Sequence, residues 1–236
     1  MVSNKNLARI AGLLYLIVIA TGLFAEVFVR QALTVSNNAI ATAHNIQSSE
    51  MLFRYGFVAD LINFIVGLPC VIIIYKLFKP INKNLVRLAM MFVVIQTAII
   101  AVNLLFQMTP LLVLSGDKYL NTFQPNQLAT LSLLSLNIQA LGYGIGLVFF
   151  GFYCLIIGYI IFKSAILPRL LGILYAISGL GYLINSFIMF LFKGFANPLF
   201  VYIAIPIFIG ELSFCLWLLI MGVKEREKLD NLIRGG

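Results

Sequence analysis

The chain has 236 residues, of which 62% are hydrophobic and only 10% charged, and its mean hydropathy is +1.05. A soluble domain of this size needs a much larger charged shell, so most of the surface must face lipid. The formal net charge of +8 would suit a nucleic-acid partner, but the basic residues sit at the ends of apolar runs, as in oriented membrane proteins, and this argues against nucleic acid.

A bilayer core about 30 Å thick needs about 20 apolar residues as helix. Six runs meet this: about 8–29, 52–78, 86–108, 129–162, 166–192 and 198–223. The N-terminus, with Lys5, Arg9 and an apolar run, resembles a signal peptide. The run continues to Phe24 with no A-x-A cleavage site after it, so an uncleaved first helix is expected. The loop at about 30–51 carries small polar and a few apolar residues and is expected to form a short amphipathic helix on the membrane surface. The second run, Leu52 to Lys79, holds Arg54 and Asp60 near one end and Lys76 and Lys79 at the other. The fourth run is longer than a span requires. Pro168 opens the fifth, where a missing N–H costs little, and Asn197-Pro198 opens the sixth. Pro69 and Pro206 should bend or loosen their helices. Gly142, Gly144, Gly146 and Gly151 leave room for close helix approach. The tail from Lys224 to Gly236 reads as a solvated helix end. The expected fold is all-α, an integral membrane bundle of six transmembrane helices forming one domain over 1–236.

With the N-terminus inside, Lys and Arg divide twelve to the inner face and four (Arg30, Arg54, Lys118 and Lys193) to the outer. This places both termini on the cytoplasmic side of the membrane.

Three runs share a register. Cys70…Tyr75…Phe78-Lys79 matches Cys154…Tyr159…Phe162-Lys163, and Cys215 again precedes a lysine, Lys224, by nine residues. Arg9…Gly12…Tyr15 resembles Arg169…Gly172…Tyr175, and Arg87 opens the third run. Three repeated hairpins would produce this pattern. The cysteines read as small packing residues rather than a metal triad. No metal site and no cofactor are expected: no C-x-x-C occurs and His44 is the single histidine.

Rise per residue places Glu26, Asn103 and Asn185 about 24–26 Å from the inner anchors of their helices, Asp60 at about 28 Å, Glu211 at about 20 Å and Tyr143 at about 30 Å. Polar side chains from all six helices thus fall in one layer in the outer half, and Asn63, Gln96 and Tyr182 are placed to join it. A charged carboxylate at that depth is costly unless paired, hydrogen-bonded, protonated or wet. Glu26 and Arg30 are four apart and can pair, as are Glu50 and Arg54. Arg54 reaches Asp60 only by extending down its own helix, or Glu26 across helices. Glu211 has no basic residue within four positions. The expected ligand site is an outward-facing polar cavity with Glu26, Asp60 and Glu211 as acids, Arg54 at its rim, and Asn103, Tyr143 and Asn185 in its wall. No residue is assigned a catalytic role.

Several segments resemble a known family. FAE at Phe24–Glu26, FR at Phe53–Arg54, ADL at Ala59–Leu61, GLVFFG at Gly146–Gly151, LPRLLG at Leu167–Gly172, GYLINS at Gly181–Ser186 and GELS at Gly210–Ser213 look like the bacterial domain of unknown function 4386 family of multispan membrane proteins. The resemblance covers about Leu7 to Val223 and includes the intramembrane acids. It also implies histidines in the fourth helix, around Gln139 and Tyr153. This chain has none there, which argues against His-dependent chemistry. The family name implies no activity.

Three functions fit. The leading one is binding or transport of a small or lipid-like solute, with the acids as proton or cation sites. The second is a structural or accessory membrane protein without a ligand. The third is an intramembrane enzyme acting on a lipid or peptide through Asp60 and Glu211; the lack of a nucleophile motif lowers it. Membrane lipid is a partner in each, and an oligomer is compatible with the first two.

Overall fold

A computed structural model describes residues 3–164, 166–192 and 196–224, with side chains left out over 196–201. The described residues are 88% helical with no strand among them. The fold is an all-α bundle, and among the described residues six helices are long and apolar enough to cross a membrane. The first span begins as α1 (Asn4–Leu23), passes through a π-helical stretch at Phe24–Arg30 and ends in a single turn, α2 (Gln31–Leu33). A short helix, α3 (Ala39–Ser48), follows, then the spans α4 (Glu50–Phe78), α5 (Lys83–Val113), α6 (Pro125–Lys163), α7 (Arg169–Leu191) and α8 (Ala196–Ile220).

Local chemistry explains where these helices begin and end. Asn38 caps α3, its Oδ1 accepting from the Ala41 N–H at 2.9 Å. Asn82 does the same for α5 through the Leu85 N–H at 3.0 Å. Each satisfies a donor that the first turn leaves without a helical acceptor. Pro168 sits one residue before α7 with extended backbone. Gly222 terminates α8 with φ of 70°, a conformation that a side chain disfavours, and its N–H bonds to the Trp217 carbonyl at 3.1 Å. Pro69, Pro110 and Pro206 all lie inside helices. The third span therefore runs past Pro110 to Val113, five residues beyond the expected end. A proline near the end of a helix removes one bond and need not stop the last turn.

Contacts group the chain into two compact units. Unit 1 contains 1–17, 65–97 and 144–236; unit 2 contains 18–64 and 98–143. Four spans, those built on α1, α4, α5 and α6, contribute residues to both.

In unit 1, α6 and α7 pack through reciprocal glycines. A Cβ on Gly158 would lie 2.7 Å from the Gly172 carbonyl oxygen, and one on Gly179 would lie 2.7 Å from that of Gly151. Only glycine allows backbones this close. The backbone of α8 at Leu219 lies similarly against Gly12. The cysteines are buried and free, the Cys215 thiol donating to the Gly12 carbonyl at 3.3 Å and that of Cys70 to the Ala11 carbonyl at 3.4 Å.

Unit 2 has an apolar cluster of Val29, Leu33, Ile46, Phe53 and Leu136, with Leu111 and Leu114 packed against it. The expected short helix is present as α3, and it is amphipathic: Thr42, Ala43 and Ile46 are buried, whereas Ile40, His44 and Gln47 are exposed. Asn37, at φ 59°, makes the turn before it. Lys193 and the tail beyond Lys224 lie outside the described residues.

Candidate functional site

Unit 2 contains a buried charge network centred on Arg30. The π-helical stretch carries both Glu26 and Arg30, and its register is shown by the Gln31 N–H donating to the Glu26 carbonyl, five residues back. Such stretches inside α-helices are rare and often mark functional positions. Arg30 Nε pairs with Glu26 Oε2 at 2.7 Å, and Arg30 Nη1 pairs with Asp60 Oδ2 from α4. Gln107 on α5 donates its Nε2 to the same Asp60 oxygen at 2.9 Å. Gln31 Nε2 donates to the other Glu26 oxygen at 3.1 Å, and the guanidinium lies over the Tyr143 ring of α6 at 5.3 Å. Asp60 is 2% exposed, Arg30 10% and Glu26 37%.

One cation thus serves two acids. The Asp60 charge, taken fully out of water, is compensated by Arg30 and a hydrogen bond; Glu26 stays partly hydrated. The network is nevertheless incomplete. Arg30 Nη2 and Gln107 Oε1 are buried without a hydrogen-bond partner. Both belong to groups tied to Asp60 Oδ2, so a spare donor and a spare acceptor flank one carboxylate.

Arg54, expected at the rim of this site, pairs with Glu50 instead, at 2.6 Å and with both side chains about half exposed. The reason is geometric. Asp60 lies six residues from Arg54 on the same helix, so the two do not share a face, and Arg30 from the first span takes the position Arg54 would need. Asn103 belongs to unit 2 and is buried. It donates its Nδ2 to the Gln139 carbonyl at 2.7 Å and packs on Gly142. Asn63 donates to the Val18 carbonyl at 2.6 Å and to Thr21 Oγ1 at 3.2 Å. These two asparagines tie helices together by side-chain hydrogen bonds. His44 is exposed on α3.

Unit 1 contains a second polar cluster, built on Glu211 of α8. Tyr182 and Tyr15 are the polar neighbours of its carboxyl group. Tyr15 also shares a hydrogen bond of 3.1 Å with Tyr175, their rings meeting edge to face at 6.5 Å. Phe214 packs on Tyr175 at 4.6 Å and on Tyr15 at 6.1 Å, and Tyr153 meets Tyr175 at 6.4 Å. Glu211 Oε1 is buried without a partner. Asn185, on α7, is partly buried. Among the described residues no three His, Cys, Asp or Glu side chains come together as a metal site would require.

Sequence reasoning singled out Glu26, Asp60 and Glu211, and it joined Tyr182 to the layer. It placed Arg30 only beside Glu26, did not name Gln107, and mentioned Gln139 only for the histidine it lacks. A signal was available: Gln107 lies four residues after Asn103, and Gln139 four before Tyr143, so each pair shares a helical face.

The family model described as "Domain of unknown function (DUF4386)" matches residues 10–222, nearly the whole chain, and the chain belongs to that family. The chain is also similar to a protein named "Uncharacterized protein" from Archaeoglobus fulgidus, with 28% identity over 177 residues, covering 75% of this chain and 90% of the relative. No solved structure matches.

Proposed function

We propose that this member of the family is a polytopic protein of the bacterial cytoplasmic membrane, with both termini cytoplasmic, that binds or carries a small polar or lipid-like solute. In this reading Glu26, Asp60, Asn103 and Tyr143 belong to the outward-facing polar region of unit 2, and Glu211 and Asn185 to that of unit 1. Arg30 and Gln107 replace Arg54 as the groups that touch the solute. One observation carries the reading: Arg30 Nη2 and Gln107 Oε1, both buried, lack partners on either side of Asp60. Leaving such groups unsatisfied costs about 1–3 kcal/mol each, and more for a charged one. A network selected for stability alone would not keep two. A solute hydroxyl or amide satisfies both, accepting from the guanidinium and donating to the carboxamide. The twelve-to-four division of basic residues supports the orientation.

The alternative is a structural protein in which the same network only fastens helices. The near-complete burial of Asp60 favours it. A thermal-shift screen in detergent separates the two, using polyols, amino acids, amides and phospholipid headgroup alcohols. A solute present at a hundred times its Kd stabilises the folded protein by about 2.7 kcal/mol. On the binding reading, at least one such solute raises the wild-type Tm, and Gln107→Leu weakens its Kd tenfold or more. A flat screen, or a solute that stabilises wild type and Gln107→Leu alike, refutes the binding reading and leaves the structural one.

A further inference from the structure

A separate feature lies on the outer surface of unit 1. Between α6 and α7 runs an apolar groove of about 410 Å³, lined by Leu155, Tyr159 and Phe162 from one helix and Ile173, Ile177 and Leu180 from the other. Its floor exists because Gly158 and Gly172 bring the two backbones together without side chains between them. Tyr159, Phe162, Ile173, Ile177 and Leu180 are each between 39% and 52% exposed, so the groove is open along its length.

Both cations at one end of the groove lean on its lining. Lys163 Nζ lies 6.0 Å from the centroid of the Tyr159 ring, and Arg169 Cζ lies 5.9 Å from that of Phe162. Both residues are exposed. No acidic residue occurs anywhere between Asp117 and Glu211, so neither α6 nor α7 carries a counter-charge for them.

We propose that this groove is a binding site for one anionic phospholipid, with an acyl chain lying along the glycine floor and the headgroup phosphate held between Lys163 and Arg169. The chemistry is complementary at both ends. The furrow offers a chain contact on two sides where a flat helix surface offers one, and ammonium and guanidinium groups form charge-assisted bonds to phosphate oxygens. Basic pockets between membrane helices bind anionic headgroups in this way. The occupant is a lipid rather than a free phosphate, because the cations stand over the rings of the furrow and the furrow is apolar throughout. The site is independent of the solute reading above.

The test is native mass spectrometry of the detergent-purified protein titrated with dioleoylphosphatidylglycerol and, separately, dioleoylphosphatidylcholine. The wild type should hold one phosphatidylglycerol at least about tenfold more tightly than phosphatidylcholine. The double variant Lys163→Gln with Arg169→Gln should lose that preference while keeping its thermal stability, since both side chains are solvent-facing. Ile177→Trp, which fills the furrow and leaves the charges, should weaken phosphatidylglycerol at least about tenfold. Equal binding of the two lipids by wild type overturns the proposal, as does a preference that survives in the double variant. So does wild-type lipid binding by Ile177→Trp, and so does inorganic phosphate displacing the lipid at equal concentration, which would make the site one for the anion alone.

Discussion

Replacing Arg30 should damage the protein more than replacing Asp60, although the two form one ion pair. In Arg30→Met, Asp60, which is 2% exposed in the native fold, keeps only the Gln107 hydrogen bond of 2.9 Å. A buried charge stripped of its partner costs about 3–5 kcal/mol. In Asp60→Asn, Arg30 keeps Glu26 at 2.7 Å and the Tyr143 ring at 5.3 Å. Its charge stays compensated, and the loss is that of a hydrogen bond to a charged group, about 1.5–3 kcal/mol. The double variant buries neither charge at this pair. Its cost should fall short of the sum of the single costs by about 1–3 kcal/mol, the coupling expected of residues in direct contact. Reversible unfolding in mixed micelles of increasing SDS, followed by circular dichroism and by the fluorescence of Trp217, the single tryptophan, measures all three. Asp60→Asn costing as much as Arg30→Met, or strictly additive costs, would refute the assignment of Arg30 as the cation that serves both acids.

Two further expectations concern packing in unit 1. Gly158→Ala should destabilise by about 1–3 kcal/mol, because its Cβ meets the Gly172 carbonyl oxygen at 2.7 Å and the helices must part; the same unfolding titration reads it, and an unchanged midpoint contradicts the close approach. On α7, Ser178 and Ser186 are both fully buried, but only Ser178 has a partner, donating to the Ile207 carbonyl at 3.0 Å. Ser178→Ala should cost about 0.6–1.7 kcal/mol, the range for hydrogen bonds between membrane helices. Ser186→Ala should be neutral or stabilising, and a reversed order in the measured midpoints would contradict the hydrogen-bond assignment.

Most of the architecture was legible because a bilayer imposes one length and one polarity on every span. The six spans follow from that rule. Local breakers and caps, such as Asn82 and Pro168, mark several of the ends. The π-helical stretch was not legible. Phe24–Arg30 has no composition that distinguishes it from α-helix, and a Glu26–Arg30 spacing of four serves an ordinary helix equally well. The partner of Asp60 was missed for a related reason. Sequence spacing ranks partners on the same helix, where Arg54 is the nearest cation, and says nothing of which neighbouring helix brings another. Arg30 is thirty residues away in the chain and in direct contact in the fold.

The hairpin register bears on why the acids are there at all. Within unit 1, Gly12 and Gly172 each admit a neighbouring backbone, at Leu219 and at Gly158, and Tyr15 and Tyr175 meet each other. Aligned on Cys70, Cys154 and Cys215, Glu211 stands where the other two hairpins have Val66 and Phe150, and Asp60 stands where they have Gly144 and Ile205. Aligned on Arg9, Arg87 and Arg169, Glu26 stands where the others have Leu104 and Ser186. Each acid is therefore the exception in a register that uncharged side chains fill elsewhere in the same chain. A helix packing that two hairpins achieve with valine, leucine, serine, phenylalanine or glycine does not require a carboxylate in the third. Burying one carries a desolvation cost that the uncharged counterparts avoid. The polar asparagines behave differently: Asn103 and Asn185 occupy matching positions, and Asn103 Nδ2 donates to the Gln139 carbonyl of a neighbouring helix. Packing accounts for an asparagine that recurs. It does not account for three acids that do not recur, and that difference supports the proposal that Glu26, Asp60 and Glu211 serve a solute rather than helix packing.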